Sequence, residues 1–250
     1  MPRCLVVEND PDDDVRLLGE WLAGAGLELV IVRPHAGEPV PADLSDYAAL
    51  VVLGGGQHVH DGGFDELESL LRKAVRYATP TLGICLGAQL LATAHAGTVA
   101  PAQAGPEVGP QLVAKRDAAE RDPLFGPVPM LPDVLQWHHD EITELPAGAV
   151  LLAASSNYPV QAFRIGGAAW GLQFHIECDT AMLAGWAADD AETLTRLGLS
   201  ADEVIARADA LADDLFEVWH PFATRFAAMA KGELAPAESG AGRQLPLLGG

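Results

Sequence analysis

The sequence has 250 residues, of which 49% are hydrophobic, so the chain is long enough to bury a sizeable core without the disulfides or metals that small domains need. Lysine and arginine number 15 against 35 aspartates and glutamates, which gives a formal net charge of −20 at pH 7. A charge of this sign repels phosphate backbones and therefore excludes nucleic acid as an expected partner.

The cysteine content and the N-terminus indicate the compartment. Three cysteines, Cys4, Cys85 and Cys178, are too few and too widely spaced to indicate a disulfide framework. No apolar run approaches the length of a membrane span, and the opening "MPRCLVVEND" reaches acidic residues before it forms the apolar core of a signal peptide. We therefore expect a cytoplasmic protein that does not bind membranes.

The first half of the chain alternates between apolar runs and helical patterns. Four strands are predicted at "CLVVE" (4–8), "LELVIVR" (27–33), "ALVVLGGG" (49–56) and "TPTLGIC" (79–85). Helical spacing of apolar residues predicts helices within 10–26, 64–78 and 86–97. Near-continuous apolar strands that alternate with helices favour an α/β fold, with a doubly wound, mostly parallel sheet flanked by helices.

The second half changes character. From residue 98 to 176, short strands separated by proline and glycine predict an added small antiparallel sheet, with segments such as "VLQWHH", "AVLLAAS", "VQAFRI" and "AAWGLQFHI". Residues 181–230 are rich in alanine and leucine and predict a C-terminal helical part. We expect one domain over residues 1–230, followed by a disordered tail at 231–250.

The stretch "GICLG" places Cys85 between Gly83 and Gly87, where a predicted strand turns into a predicted helix. Such a turn lifts its central side chain into the crevice at the carboxyl ends of the strands, and small neighbours prevent collisions. The helix that begins near Leu86 presents its positive end to the sulfur and favours the thiolate. The alternative is a small buried cysteine, which is what most free cysteines are.

A thiolate nucleophile also needs a base, and "GLQFHIE" supplies one. His175 and Glu177 are two residues apart on a predicted strand, so their side chains share a face. A carboxylate beside an imidazole fixes its tautomer and stabilises the imidazolium, which lets the histidine take and return a proton. The glycine turn of "VVLGGGQ" can aim backbone N–H groups at a developing oxyanion, with the Leu86 N–H as a second donor.

These motifs together resemble the class I (triad) glutamine amidotransferases, and within them the amidotransferase domain of GMP synthase. The resemblance runs from about residue 5 to 183 and rests on "VVLGGG", "TLGICLGAQLLA", "AGPEVGP", "LQWHHDEITELPAGAVLLAAS", "VQAFRIG" and "WGLQFHIE". It implies a flavodoxin-like fold, no cofactor and no metal.

The resemblance also implies roles for particular residues. Cys85 would attack a side-chain amide and form a γ-glutamyl thioester, with His175 as acid and base and Glu177 as its orienter. Gly55 and Leu86 would form the oxyanion hole. The remaining implied substrate-binding residues are Gly56, Gln89, His138 and Asp140, of which the last two could instead lie at an interface.

The sequence departs from the family pattern at one catalytic position. The family usually has His-Pro-Glu where this chain has His175-Ile176-Glu177. Proline would stiffen this segment, and isoleucine need not move either side chain.

Three functions remain in competition. The first is hydrolysis of glutamine to glutamate, with ammonia delivered to a separate synthase or ligase chain, because no P-loop or Ser-Gly-Gly-x-Asp motif is present. The second is hydrolysis of other γ-glutamyl amides or peptides, with water as the final acceptor. The third, from another class, is a non-catalytic binding or regulatory module that retains the fold.

Overall fold

The computed structural model describes residues 1–238. Its strands are β1 (Arg3–Val7), β2 (Glu28–Val32), β3 (Ala49–Val52), β4 (Thr81–Ile84), β5 (Thr98–Pro101), β6 (Glu107–Leu112), β7 (Ala114–Lys115), β8 (Asp133–His138), β9 (Asp140–Glu144), β10 (Val150–Ala154), β11 (Ala162–Ile165) and β12 (Ala169–Leu172). Its α-helices are α1 (Arg16–Gly24), α2 (Asp65–Arg76), α3 (Leu86–Thr93), α4 (Thr180–Asp189), α5 (Ala191–Leu197), α6 (Ala201–Ala210) and α7 (Ala212–Ala230). Short 3-10 turns lie at Pro34–Ala36, Val59–Asp61 and Asp117–Arg121.

Eight strands form one sheet in the order β2-β1-β3-β4-β12-β11-β10-β7. Neighbours from β2 to β12 pair in parallel, and neighbours from β12 to β7 pair antiparallel. Two further antiparallel pairs, β5-β9 and β6-β8, form separate sheets. The predicted α/β fold with a mostly parallel sheet is confirmed, and the antiparallel part is larger than expected because it both extends the main sheet and forms these two pairs.

The alternation of side chains along β1 explains why both faces of the sheet are covered. Cys4 and Val6 point into the core that is closed by α1 and α7, and Leu5 and Val7 point into the core closed by α2 and α3. All four side chains are fully buried. A strand buried on both faces reads as a continuous apolar run, which is the pattern that predicted it.

Helix α2 shows how sequence sets a local element. Its first turn carries acidic residues and its last turn carries Lys73 and Arg76, so both ends complement the helix dipole. Its buried residues, Leu67, Leu70, Leu71 and Ala74, follow helical spacing and lie on one face.

The predicted strand through residue 176 is wrong in extent. β12 ends at Leu172, which pairs with Ile84, the last residue of β4. Beyond that pair the neighbouring chain turns into α3, so no ladder partner continues the strand. His175 forms an isolated antiparallel bridge with Leu135. The segment that carries His175 and Glu177 is therefore a loop held against β8, and β5 and β9 are strands that the sequence did not predict.

A third cluster of buried residues lies beside the main core and packs α4 and α6 against the β6-β8 pair. Trp186 belongs to this cluster, and helices α4 to α7 lie in the segment for which a C-terminal helical part was predicted.

Residues 239–250 of the predicted tail lie outside the described residues. Before them, the Ala237 N–H donates to the Gly167 carbonyl oxygen at 2.9 Å. Within residues 1–238, every helix is too short or too polar to cross a bilayer.

Candidate active site

Cys85 occupies the turn between β4 and α3, with φ at 50° and ψ at −110°. A positive φ is costly for a residue with a side chain, by about 1–3 kcal/mol, and persists only where the surroundings enforce it. Here the Cys85 N–H donates to the Leu172 carbonyl oxygen at 2.8 Å, which ties the turn to β12. The predicted elbow is therefore present, and its backbone is strained at the cysteine.

The glycines on either side of Cys85 are required by close backbone approach. A Cβ on Gly83 would lie 2.5 Å from the Gly87 carbonyl oxygen, and a Cβ on Gly87 would lie 2.1 Å from the Val52 carbonyl oxygen. Both distances are far below any contact that a carbon atom tolerates. Glycine at both positions lets α3 start directly behind the sheet and leaves the Cys85 side chain at its rim.

His175 and Glu177 form a buried pair although they do not lie on a strand. Nδ1 of His175 is 2.6 Å from Oε1 of Glu177, and the two residues are 2% and 0% exposed. The other carboxylate oxygen accepts the Ile176 N–H at 2.9 Å. Glu177 is thus held at both oxygens, and the imidazole presents Nε2, which has no hydrogen-bond partner among residues 1–238.

Several effects compete over the charge of His175. Burial disfavours the imidazolium, but the negative charge of Glu177 and the nearby Cys85 sulfur more than offset it, so the pKa of His175 is raised well above its ordinary value of 6.5. The ring of His175 consequently holds a proton more strongly than a free imidazole does.

Cys85 and His175 line the same cavity, which has a volume of about 460 Å³. A Cβ on Gly54 would lie 3.3 Å from Cε1 of His175 and 3.5 Å from Cβ of Cys85, so both side chains flank this glycine. The sulfur is also 3.8 Å from the Trp137 carbonyl oxygen and 3.8 Å from Nε2 of Gln173. The thiol of Cys85 and the imidazole of His175 thus lie at one cavity, and the carboxylate of Glu177 is bonded to the far side of the imidazole.

The candidate oxyanion donors lie next to the thiol. Leu86 is the first residue of α3, and the leading N–H groups of a helix have no acceptor within it. Gly55 lies beside it, because a Cβ there would be 3.3 Å from Cδ2 of Leu86. The Gly56 N–H instead donates to Oδ2 of Asp10 at 3.3 Å, so its predicted contact with substrate would compete with that bond.

Gln89 lies one turn into α3, is 3% exposed and lines the cavity, and its contact with substrate stays a prediction. Its side-chain amide donates to Oε1 of Gln173 at 3.3 Å. The Gln173 side chain also contacts the Cys85 sulfur, so it connects the thiol to Gln89 of α3. Gln173 stands two residues before His175 but was not among the site residues predicted from the sequence.

His138 and Asp140 also line the cavity. The His138 ring lies between the Asp140 carbonyl oxygen, 2.8 Å from Nδ1, and Oε2 of Glu107, 3.2 Å from Nε2. Oδ2 of Asp140 is 2.7 Å from Nδ1 of His58. Both residues are therefore in the pocket wall, which was one of the two predicted placements.

A model of the family Glutamine amidotransferase class-I matches residues 16–181. The chain belongs to the class I glutamine amidotransferase family. This match confirms the resemblance and the expectation of a family of cysteine hydrolase-type enzymes. The match identifies neither the substrate of this amidotransferase-family chain nor the roles of its individual residues.

Curated relatives carry two kinds of activity in their names. The chain is 35% identical over 134 residues to gamma-glutamyl peptidase 4 of Arabidopsis thaliana, covering 51% of this chain and 52% of that protein. It is 37% identical over 148 residues to a glutamine-hydrolyzing GMP synthase of Thermomicrobium roseum, covering 56% of this chain and 26% of the synthase. The alignments thus span about half or less of these relatives.

A solved structure agrees with the fold. The crystal structure of a glutamine amidotransferase from Methylobacillus flagellatus superposes with a TM-score of 0.81 at 24% sequence identity. The superposition covers 94% of this chain and 96% of that one.

Two residues from distant parts of this amidotransferase-family chain were missed by the sequence analysis. Asp13 follows β1 and lines the cavity, where Oδ1 accepts the Trp186 indole N–H at 2.7 Å. The Trp186 ring lies 4.6 Å from the His175 ring. The run "DPDDD" was interpreted as a helix start, but its position after a parallel strand is the signal that places it at the same sheet edge as Cys85.

One cluster among residues 1–238 has a composition that could hold a metal ion. Ligand atoms of His58, His60 and Asp140 all lie within 4.8 Å of one another. The 2.7 Å separation of His58 and Asp140 is that of a hydrogen bond, which a shared ion would have to replace. The absence of a metal requirement stays a prediction.

Proposed function

We propose that this protein hydrolyses a γ-glutamyl amide through a γ-glutamyl thioester on Cys85. The observation that carries the proposal is the unpartnered Nε2 of a buried, carboxylate-held histidine in the same cavity as a strained elbow cysteine. A buried polar nitrogen without a partner is costly, by about 1–3 kcal/mol, unless it serves a proton transfer or binds a ligand.

The acylation step follows from this geometry. His175 removes the thiol proton, and the Cys85 sulfur attacks the γ-carbonyl carbon. The negative charge that develops on the carbonyl oxygen is met by the N–H groups of Gly55 and Leu86. The carbon–nitrogen bond then breaks, and His175 returns the proton to the leaving amine.

Deacylation uses the same groups, with water as the nucleophile and the Cys85 sulfur as the leaving group. His175 takes a proton from water, the hydroxide attacks the thioester carbonyl, and the carbon–sulfur bond breaks to release glutamate. The proton on His175 then restores the thiol. Glu177 keeps the imidazole oriented and stabilises its protonated form in both steps.

Two classes of substrate are compatible with this chemistry, and the names of the relatives support both. In one, the substrate is glutamine and ammonia passes to a separate synthase or ligase chain. In the other, the leaving group is a larger amine and water is the only acceptor. The 460 Å³ cavity favours the second class, since volumes of about 300–1,000 Å³ hold ligands of drug size, larger than glutamine.

The test is mass spectrometry of the protein after brief incubation with glutamine and with γ-glutamyl alkylamides, followed by acid quenching. We expect a glutamyl adduct on the peptide that contains Cys85, and its loss together with turnover in Cys85→Ala. Cys4→Ala is the matched control, because Cys4 is buried in β1 and does not line the cavity. Undiminished turnover by Cys85→Ala would reject the proposal, and no adduct or turnover with any donor would favour a non-catalytic module.

A further inference from the structure

The cavity around Cys85 is strongly and asymmetrically charged. Six aspartates line it, and neither lysine nor arginine does. They are Asp10, Asp12, Asp13, Asp140, Asp189 and Asp190. Two of these aspartates face histidines, since Asp140 is bonded to His58 and Asp190 to His139, and the charge of His175 acts on Asp13. A wall of this kind concentrates positively charged ligands.

Two of these aspartates are each hydrogen-bonded to a tryptophan that also lines the cavity. The Trp186 indole donates to Oδ1 of Asp13 at 2.7 Å, and the Trp137 indole donates to Oδ2 of Asp190 at 3.2 Å. The two indole rings lie 6.0 Å apart. Aromatic faces next to carboxylates are the combination that binds organic ammonium groups, through cation–π and Coulomb attraction together.

Part of this wall lies beside His175, the residue that must reach the leaving nitrogen. The leaving nitrogen must come within reach of Nε2 of His175, and the Trp186 ring packs 4.6 Å from that imidazole. A Cβ on Gly54 would lie 2.8 Å from Oδ2 of Asp13 and 3.3 Å from the His175 ring. Asp13 is 7% exposed, and its Oδ2 accepts no hydrogen bond from residues 1–238.

On this basis we propose that the substrate is a γ-glutamyl amide whose leaving amine carries a second, positively charged amino group, as in a diamine monoamide. The distal ammonium binds against Trp137 and Trp186 and is neutralised by Asp13, Asp189 and Asp190. This proposal rests on the proposed function, because it names the substrate class of the same site.

The same wall discriminates against other leaving groups. An amino-acid leaving group brings a carboxylate to a surface of aspartates, where like charges repel. The leaving group from glutamine is ammonia, so no part of that substrate would bind the two indole rings or Asp189 and Asp190. The acidic wall therefore favours a diamine amide over both glutamine and a γ-glutamyl dipeptide.

The experiment compares kcat/KM for the mono-γ-glutamyl amide of 1,4-diaminobutane with that for γ-glutamyl-n-pentylamide, in which a methyl group replaces the ammonium. γ-Glutamylglycine and glutamine complete the panel. We expect the cationic amide to exceed the neutral one by at least about tenfold at low ionic strength, and salt to reduce the ratio. In Asp189→Asn/Asp190→Asn, the ratio falls at least about threefold, whereas in Asp202→Asn, an exposed site on α6, it is unchanged.

The outcomes separate the two proposals. Turnover of the neutral amide at a rate equal to or above that of the cationic one overturns the inference about the amine and leaves the thioester chemistry standing. A ratio that survives both aspartate substitutions also overturns it, because the preference then comes from elsewhere. Failure of every substrate to acylate Cys85 removes the proposed function itself.

Discussion

Nδ1 of His175 lies 2.6 Å from a carboxylate oxygen of Glu177, and both side chains are almost completely buried. Removal of water makes this interaction strong, and it raises the pKa of the imidazole above 6.5 against the opposing effect of burial. The charge of Glu177 therefore controls how readily His175 accepts a proton.

Glu177→Gln tests the importance of that charge. The amide has a similar shape but cannot stabilise an imidazolium, so we expect the pKa of His175 to fall and kcat/KM for a γ-glutamyl amide to drop by about 10²- to 10⁴-fold. NMR titration of ¹³C-labelled histidine measures the first quantity and steady-state kinetics the second. Glu192→Gln, at an exposed position of α5, serves as the control, and an unshifted His175 titration in Glu177→Gln would contradict the assignment.

Ile176 has a role that a proline at this position could not perform. Its N–H donates to Oε2 of Glu177 at 2.9 Å, and proline has no N–H. A hydrogen bond to a charged group contributes about 1.5–3 kcal/mol, so we expect Ile176→Pro to lower kcat by about tenfold or more. Ile176→Val keeps the donor and should retain kcat. Equal kcat values for the two variants, with unchanged circular dichroism, would show that the bond does not position Glu177.

Asp13 is expected to destabilise the protein at neutral pH. Burial is the main reason that its pKa rises from 3.8 to about 6, so the folded state binds this proton more tightly than the unfolded state. The stabilisation linked to that proton is fully present below pH 3.8 and is lost as the pH rises through about 6. Asp13→Asn keeps an acceptor for Trp186 and avoids the buried charge.

We therefore expect Asp13→Asn to increase the free energy of unfolding at pH 7.5, by up to about 3 kcal/mol, and by roughly half as much at pH 5. Urea unfolding at the two pH values measures this difference. Asp202→Asn should change stability little at either pH. A gain that is larger at pH 5 than at pH 7.5 has the wrong sign for a raised pKa and would refute this account.

Gly87→Ala tests the packing of the elbow. The added methyl group would overlap the Val52 carbonyl oxygen, so α3 or β3 must shift, at a cost of about 1–3 kcal/mol or more, and the thiol loses its position. Gly24→Ala is matched to it, because a Cβ on Gly24, at the end of α1, meets nothing within 4 Å. Thermal melts should show a lower Tm for the first variant and an unchanged or higher Tm for the second. Equal Tm values would mean that the elbow tolerates a side chain.

Much of the fold and part of the site could be predicted because the signals are local. Strands buried on both faces must be continuously apolar, and the apolar runs in the sequence therefore locate β1 to β4. The glycines around Cys85 reflect contacts within a few residues and the adjoining strand. His175 and Glu177 are close in sequence, so their proximity was predicted correctly even though the strand that was expected to explain it ends at Leu172.

Only the tertiary structure decided which other side chains line the cavity in front of Cys85 and His175. The hydrogen bond between Asp13 and Trp186 joins positions 173 residues apart, and no periodicity or spacing reports such a contact. The indole rings and the aspartates of the cavity come from the loop after β1, from β8, from the start of β9 and from the end of α4. The loop after β1 lies at the edge where the parallel strands end, and α4 packs with α6 and the β6-β8 pair in a separate cluster. The amino-acid sequence determined the elements and the reactive pair, and packing between distant segments determined the charge and shape of the space in front of them.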